Sequence, residues 1–178
     1  LYVKRTQDVV IVLDRSGSMT TANKIQAARN AANLFANELA GDDQGSFVAF
    51  DTDAVLREPL APMAGGHRQD IENAIAAEVP LNWTSIGDGM ITAANEHDAN
   101  GIAENLCSFI LLSDGYENEP QFWADVKPAV IDNGCAIHSI ALGPQANEPL
   151  MMQIGAAVPG GSYDYADSSG NVPILGTL

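Results

Sequence analysis

The chain has 178 residues, the size of one ordinary domain. Its 23 acidic residues outnumber the 8 Lys and Arg, and the resulting net charge of −15 argues against binding to the phosphate backbone of nucleic acid or to anionic lipid headgroups, since both attract basic surfaces. Because hydrophobic residues make up 46% of the chain, it has the material for a large core and is not a disordered acidic tail.

Strand-like and helix-like segments alternate along the chain. The strands are predicted from short apolar runs that end at polar residues, as Val9–Leu13 ends at Asp14. The helices are predicted from apolar residues three or four positions apart and from end signals, such as Gly41 as a C-terminal cap and Asn147 as a start. The predicted strands are Val9–Leu13, Phe47–Phe50, Val55–Leu56, Cys107–Leu112, Cys135–Leu142 and Tyr163–Ala166. The predicted helices are Lys24–Ala40, Gln69–Val79, Ser85–His97, Gln121–Asn133 and Asn147–Ala157.

This alternation predicts the fold class. Strands separated by helices form βαβ crossovers, so we expect a doubly wound, Rossmann-like α/β domain: a mostly parallel sheet of about six strands with one antiparallel edge strand and helices on both faces. Pro120 is expected in the first turn of the fourth helix, and Pro128 is expected to kink or split that helix. Ligands of such sheets bind at the carboxyl ends of the strands, so the functional residues are expected just after Leu13, Leu112 and Leu142.

The apolar runs and the termini set further expectations. No apolar run approaches the roughly eighteen residues of a membrane-spanning helix, so we expect no membrane insertion by this domain. The chain starts at Leu1 without a signal-like segment, which indicates a single domain, residues 1–178, excised from a larger protein. Residues 168–178 contain Gly170 and Pro173 and are expected to be irregular or truncated.

A cluster of oxygen side chains follows the first predicted strand. Asp14, Ser16 and Ser18 occupy alternate positions, and Gly17 between them lets the loop turn tightly enough for the three side chains to converge. A carboxylate and two hydroxyls are hard oxygen ligands, which suit Mg²⁺, Mn²⁺ or Ca²⁺ and not Zn²⁺. The alternative is that the serines cap the helix that follows and bind no metal.

Three segments together resemble the von Willebrand factor type A domain family. Residues 14–18 are similar to the first part of that family's metal-ion-dependent adhesion site (MIDAS), Thr84 and the residues after it to the second part, and Asp114 with Gly115 to the third. The segments follow one another in the family's order over about a hundred residues. A split pattern of this kind is far more specific than any one of its parts.

The resemblance implies a role for each matching residue. Ser16 and Ser18 would coordinate the metal directly through their hydroxyls. Asp14 and Asp114 would coordinate it directly or through water, whereas Thr84 approaches when a ligand is bound. Two carboxylates balance a divalent charge and the hydroxyls add none, so the ion retains affinity for an anion. The implied function is a cation-dependent, adhesion-type module whose metal, Mg²⁺ or else Mn²⁺ or Ca²⁺, receives an Asp or Glu of a protein partner.

Longer stretches are similar to one branch of this family. Phe50-Asp51 and Gly134–Pro144 resemble the type A domains of calcium-activated chloride channel regulators and related prokaryotic surface proteins, which implies an extracellular or cell-surface location rather than the cytoplasm. Two departures stand out. Asn82-Trp83 precede Thr84, where many relatives have two glycines, and this alters how far the Thr84 loop is expected to move. The family's final helix has no regular counterpart in residues 168–178, which makes allosteric switching doubtful.

The cysteines and histidines have competing interpretations. Cys107 and Cys135 each open a predicted strand, and in the family's strand order these strands are neighbours, which implies a disulfide; the alternative is two buried free thiols. His138 is expected in the core. His67 and His97 are expected on helix surfaces.

Four residues border the predicted metal site. Asp88 lies in a first helical turn, where its negative charge is expected to interact favourably with the helix dipole. Alternatively, it supports the metal ligands through a hydrogen bond. Trp83 is expected either to be an exposed aromatic side chain that contacts the partner or to pack within the fold. Tyr116 and Glu117 follow Asp114 and are expected at a solvated rim, where they would contact the partner.

An enzyme and a scaffold are the alternatives to partner capture. An enzyme is not expected, because the chain lacks a Gly-x-x-x-x-Gly-Lys phosphate loop and a Gly-x-Ser-x-Gly nucleophile motif. Phosphotransferases with an aspartate nucleophile need a second acid where this chain has Ser16. A non-adhesive scaffold or assembly domain with a purely structural metal fits the acidic composition as well as the binding module does.

Overall fold

The computed structural model describes residues 5–167, which form one layered α/β unit. The strands are β1 (Gln7–Asp14), β2 (Gln44–Phe50), β3 (Ala54–Pro62), β4 (Leu106–Ser113), β5 (Ala136–Leu142) and β6 (Ser162–Ala166). The helices are α1 (Lys24–Glu38), α2 (His67–Ala77), α3 (Ile86–Asn100), α4 (Trp123–Asn133) and α5 (Glu148–Gly155), and a short 3-10 segment, Gly17–Asn23, precedes α1. None of the helices in the described range is both long and apolar enough to cross a bilayer. The expectation for residues 168–178 lies outside the described residues.

The strands form one sheet in the order β3-β2-β1-β4-β5-β6. Only the short turn at residues 51–53 joins β2 to β3, and these two strands are antiparallel; the other neighbouring pairs are parallel. The predicted doubly wound fold with one antiparallel edge strand is therefore confirmed. The strand order reverses between β1 and β4, so the carboxyl ends of these two strands form the edge where such sheets bind ligands.

Strand β1 supplies side chains to a core on each face of the sheet. Val9, Ile11 and Leu13 pack on the face covered by α1 and α2. Val10 and Val12 pack on the face covered by α3, α4 and α5. Burial on both faces explains why this strand is a continuous apolar run, and each such side chain contributes about 1.5–3 kcal/mol to stability.

Two element ends differ from the sequence prediction. Helix α1 ends at Glu38, because the backbone of Leu39 is already extended, and Gly41 is therefore not its C-terminal cap. Strand β3 extends well beyond the predicted Val55–Leu56. Because β3 is an edge strand with mostly exposed side chains, it lacks the apolar run that reveals the central strands.

Helix α4 departs from the prediction at both prolines. Pro120 lies before the helix rather than in its first turn, and Pro128 neither ends nor splits it. Pro128 removes one backbone hydrogen bond. Trp123, Val126 and Val130, on both sides of that position, are buried in the core, and their packing holds the helix in place.

A disulfide links β4 to the start of β5. Cys107 and Cys135 lie opposite each other across the two parallel strands, with their Cα atoms 4.8 Å apart. The bond closes a loop with a sequence separation of 28 residues. A loop of that length corresponds to about 3–4 kcal/mol of stabilisation through the unfolded chain.

The burial of the three histidines differs from the sequence prediction. His97 was expected on a helix surface, but its Nδ1 lies 3.4 Å from Sγ of Cys135 and its Nε2 lies 3.6 Å from the carboxylate of Asp8. His67 is half-buried and also bound to the fold through its ring. His138 was expected in the core, but it is only half-buried on β5, and desolvation lowers its pKa. The surface expectation for His97 is wrong, because tertiary contacts cover the helix face on which it lies.

Candidate metal centre

The predicted metal ligands lie at the edge where the strand order reverses. Asp14 is the last residue of β1, Asp114 directly follows β4, and Thr84 precedes α3. These three residues and Ser16 are buried, whereas Ser18 is exposed. The edge thus combines two buried carboxylates with a hydroxyl that is open to solvent.

The loop after β1 brings its hydroxyls together. The backbone N of Ser16 donates a hydrogen bond to Oδ1 of Asp14 at 2.8 Å, and the Oγ atoms of Ser16 and Ser18 lie 3.1 Å apart. Gly17 donates from its N to the carbonyl of Asn82 at 3.0 Å, and a Cβ at Gly17 would lie 3.1 Å from that carbonyl. Ser16 occupies the cap position of the 3-10 segment, but its side chain makes no capping hydrogen bond. The capping alternative therefore does not explain Ser16.

Asp14 has an unfavourable electrostatic environment. Burial deprives its carboxylate of water, and the negative charge of Asp114 repels it, so that the pKa of Asp14 rises from 3.8 to about 6. The hydroxyl of Ser113 donates to its Oδ2 at 2.6 Å, and this bond and the one from Ser16 N lower the pKa without cancelling the rise. Two buried acids that repel each other favour a cation between or beside them.

The structure places a positively charged side chain, Lys24, beside the predicted ligands, which the sequence did not indicate. Nζ of Lys24 lies 2.7 Å from Oδ2 of Asp114, and the two side chains are only 8% and 1% exposed. Lys24 is the first residue of α1, where a positive charge opposes the helix dipole. That unusual placement was the only sequence signal that could have identified it.

The donor set fits a hard divalent cation. All predicted ligand atoms are oxygens, from two carboxylates and from hydroxyls, and no sulfur or imidazole belongs to the set. The ammonium of Lys24 shows that this pocket of carboxylates accommodates a positive charge. The assignment of individual ligands stays a prediction.

The Thr84 loop is held on two sides. The backbone N of Thr84 donates to Oδ1 of Asn118 at 2.8 Å, and N of Asn118 donates to the carbonyl of Thr84 at 3.0 Å. On the other side, N of Ser85 donates to the carbonyl of Asp51 at 2.8 Å. Asn82 has φ 53°, a left-handed conformation that Asn tolerates better than most residues. Asn82 therefore adopts a turn conformation that glycine would also supply.

An ion-pair network built on two buried acids, Asp51 and Glu78, supports the same loops. Arg15, between two predicted ligands, lies 2.7 Å from Asp51 and 3.3 Å from Glu78. Arg57 binds Glu78 from the other side at 2.6 Å. The carbonyl of Arg15 accepts a hydrogen bond from N of Leu81 at 2.7 Å, so the network fixes the approach to Thr84.

The bordering residues divide into two kinds. Trp83 and Tyr116 are 59% and 52% exposed, so both are available to a partner. Glu117 is half-buried, and its Oε1 accepts hydrogen bonds from N of Trp123 at 2.6 Å and N of Gly87 at 3.2 Å, while desolvation raises its pKa. The expectation that Glu117 lies at a solvated rim is therefore wrong, because its carboxylate binds the first turns of α3 and α4.

Asp88 lies in the first turn of α3, as predicted. Its Oδ2 accepts a hydrogen bond from the backbone N of Ala54, at the start of β3. Its own N donates weakly to Oγ of Ser85, at 3.4 Å. The carboxylate of Asp88 thus joins the helix to the edge hairpin, which favours the helix-terminus interpretation over support of the metal ligands.

Comparison with known proteins agrees with this architecture. The family model for the von Willebrand factor type A domain matches residues 8–174. Calcium-activated chloride channel regulator 1 of Sus scrofa is 29% identical over 182 residues, a match that covers 96% of this chain and 18% of that protein. A von Willebrand factor type A structure from Catenulispora acidiphila has a TM-score of 0.81 at 20% identity, covering 94% of this chain and 40% of that chain. Proximal thread matrix protein 1 from the mussel byssus, with a zinc-occupied MIDAS motif, has a TM-score of 0.75 at 17% identity. The match covers 92% of this chain and 44% of that chain.

Proposed function

The chain belongs to the von Willebrand factor type A domain family, and on that premise we propose that it is a divalent-cation-dependent protein-binding module rather than an enzyme. Asp14, Ser16, Ser18, Thr84 and Asp114 would hold the ion. The principal support is the pair of buried acids, Asp14 and Asp114, at the β1–β4 edge beside the converging hydroxyls of the first loop.

The site chemistry favours Mg²⁺, with Mn²⁺ and Ca²⁺ as alternatives. Such an ion, when bound by mostly neutral oxygens, supplies an open position that accepts a carboxylate. The carboxylates of Asp14 and Asp114 balance its charge. Ser18, the exposed hydroxyl, marks the side of the centre that a partner can reach. The mussel protein with a zinc-occupied MIDAS motif supports a divalent ion at such a centre.

The surface around the centre restricts the partner. Residues 58–178 have a net charge of −14, which repels an acidic protein at distances within the ~8 Å Debye length of physiological salt. The partner is therefore a protein that presents one Asp or Glu from a neutral or basic surface. Trp83 and Tyr116 supply exposed aromatic contact area beside the carboxylate. We propose neither nucleic acid nor a membrane as a ligand.

The proposed location is extracellular or on the cell surface. The disulfide between Cys107 and Cys135 is of a kind that persists in oxidising compartments. The chain spans about a fifth of the length of the chloride channel regulator that it matches. For that reason the proposal concerns a binding domain and does not extend to the activity of the longer relative.

Calorimetry tests the proposed centre. We expect wild-type protein to bind Mg²⁺ or Mn²⁺, and Asp14→Ala and Ser16→Ala to abolish binding while they retain a cooperative unfolding transition. Glu104→Ala, which removes an exposed acid in the loop before the amino end of β4, is the matched control and should bind like wild type. Unchanged affinity in both site variants would show that the ion binds elsewhere.

A partner screen separates capture from a structural metal. Proteins retained on the immobilised domain in Mg²⁺ should be released by EDTA and should not bind to Ser16→Ala. A partner that stays bound in EDTA would contradict metal-mediated capture and favour the scaffold alternative.

A further inference from the structure

We propose that Lys24 is a built-in counter-cation that weakens metal binding at the candidate metal centre and strengthens the centre's attraction for a partner carboxylate. The inference rests on the proposed function and adds a residue outside the predicted ligand set. It starts from a single contact: Nζ of Lys24 lies 2.7 Å from Oδ2 of Asp114, with both side chains almost fully buried.

Burial makes this contact strong and specific. A buried ammonium needs a charged partner, because without one it loses its hydration with no compensation. Asp114 is that partner, and the same Asp114 is a predicted ligand of the metal. Lys24 and a metal ion therefore compete for one carboxylate.

The fold holds Lys24 in this position. Its stem lies against Gly143, after β5, where a Cβ would be 2.9 Å from Cδ and 3.1 Å from Cγ of Lys24. Just before Lys24, Ala22 and Asn23 have φ values of 51° and 58°. Two consecutive left-handed residues that are not glycine persist only where the surrounding structure stabilises them. The turn and the glycine together direct the lysine to Asp114.

Helix stability does not account for the lysine. Lys24 begins α1, where the helix dipole disfavours a positive charge and favours an acid. The arginines of the neighbouring ion-pair network, Arg15 and Arg57, pair with Asp51 and Glu78, whereas Asp114 pairs with Lys24. The contact with Asp114 is thus the interaction that compensates for the unfavourable helix position.

Charge determines the direction of the effect. Asp14 and Asp114 contribute −2, and Lys24 contributes +1. With a divalent ion bound, the centre has a net charge of +1 when Lys24 is present and 0 when its charge is removed. Lys24 therefore repels the incoming metal ion, while the loaded centre attracts the partner's carboxylate more strongly. Even in bulk water, a unit charge about 6 Å from a bound divalent ion changes the affinity of the centre for that ion about tenfold.

Lys24→Met tests the inference, because it keeps an unbranched stem and removes the charge. We expect Mg²⁺ affinity by calorimetry to increase at least about tenfold over wild type. The metal-free variant should unfold at a lower temperature than metal-free wild type, and Mg²⁺ should raise its Tm by more. Lys24→Arg keeps the charge and should restore affinity towards wild type. Lys127→Met, on α4, is the matched control and should leave affinity unchanged.

The outcomes distinguish this inference from the proposed function. Equal or weaker Mg²⁺ affinity in Lys24→Met, with binding in wild type intact, would overturn the role of Lys24 alone. No Mg²⁺ binding in either protein would overturn the proposed centre and this inference with it. If Lys24→Met folds only when Mg²⁺ is added, the Mg²⁺ dependence of its Tm gives its Mg²⁺ affinity, which is then compared with that of wild type in the same way. A variant that does not fold even in Mg²⁺ would contradict the idea that the ion replaces the lysine.

Discussion

Strand β1 buries an acid at each end, and the two acids differ in the charge beside them. At the amino end, Asp8 accepts hydrogen bonds from N of Ile102 at 2.7 Å and from Nδ2 of Asn105 at 2.6 Å. At the carboxyl end, Asp14 faces a second acid, Asp114, and its pKa is raised to about 6. Both carboxylates accept hydrogen bonds, but Asp14 is in addition repelled by the negative charge of Asp114.

The contrast between Asp8 and Asp14 distinguishes an acid buried for stability from an acid buried at the proposed binding site. Asp8 holds the loop before β4 in place, and the disulfide between Cys107 and Cys135 closes the same end of the sheet. Asp14 belongs to an arrangement that is costly in a metal-free fold, and buried like charges of this kind mark functional sites more often than structural ones. The stabilising contacts thus lie at the amino edge of the sheet, and the proposed binding site lies at its carboxyl edge.

Removing the disulfide is the largest change expected at the amino edge. The double variant Cys107→Ala and Cys135→Ala should lose about 3–4 kcal/mol of unfolding free energy in urea titrations, because the unfolded chain regains the entropy of an open loop. Its Mg²⁺ affinity should match that of wild type. Loss of Mg²⁺ binding in a variant that is still folded would break the separation between the two edges.

A pH titration of stability sharpens the comparison at the other edge. The pKa of Asp14 is about 6 in the folded protein against 3.8 as a free side chain, so the folded state binds the proton more tightly. Stability from this proton is complete below about pH 4 and is lost as the pH rises through 6. The shift corresponds to about 3 kcal/mol at roughly 1.4 kcal/mol per pH unit.

Asp14→Asn isolates this contribution. In EDTA, the difference in unfolding free energy between wild type and Asp14→Asn should shift against wild type as the pH rises from 4 to 7. Saturating Mg²⁺ should abolish that change, because the bound charge favours the ionised acid. A difference that stays constant with pH in EDTA would show that Asp14 is not the strained acid of this fold.

Sequence patterns predicted the parts that depend on neighbouring residues. The apolar run Val9–Leu13 predicted the central strand, and the alternating positions of Ser16 and Ser18 predicted that their hydroxyls converge, which the 3.1 Å separation of the two Oγ atoms confirms. Asn147 was also identified correctly as the start of α5, where its side chain accepts a hydrogen bond from N of Leu150. In each case the signal and its physical cause lie within a few residues.

What the sequence did not predict depends on distant contacts. Lys24 and Asp114 are 90 residues apart, and no local pattern indicates that they meet. Glu117 follows a predicted ligand but binds helix starts, because its carboxylate turns inward. Pro128 lies within a continuous helix, since burial of Trp123, Val126 and Val130 in the core outweighs one lost hydrogen bond.

The central claim, a divalent cation at the β1–β4 edge, is tested most directly by crystals grown with Mn²⁺ and measured for anomalous scattering. The account predicts one strong peak within about 2–2.5 Å of Oγ of Ser16 and Oγ of Ser18, and its loss in Ser16→Ala. A well-ordered crystal at saturating Mn²⁺ with no peak at this edge would contradict it.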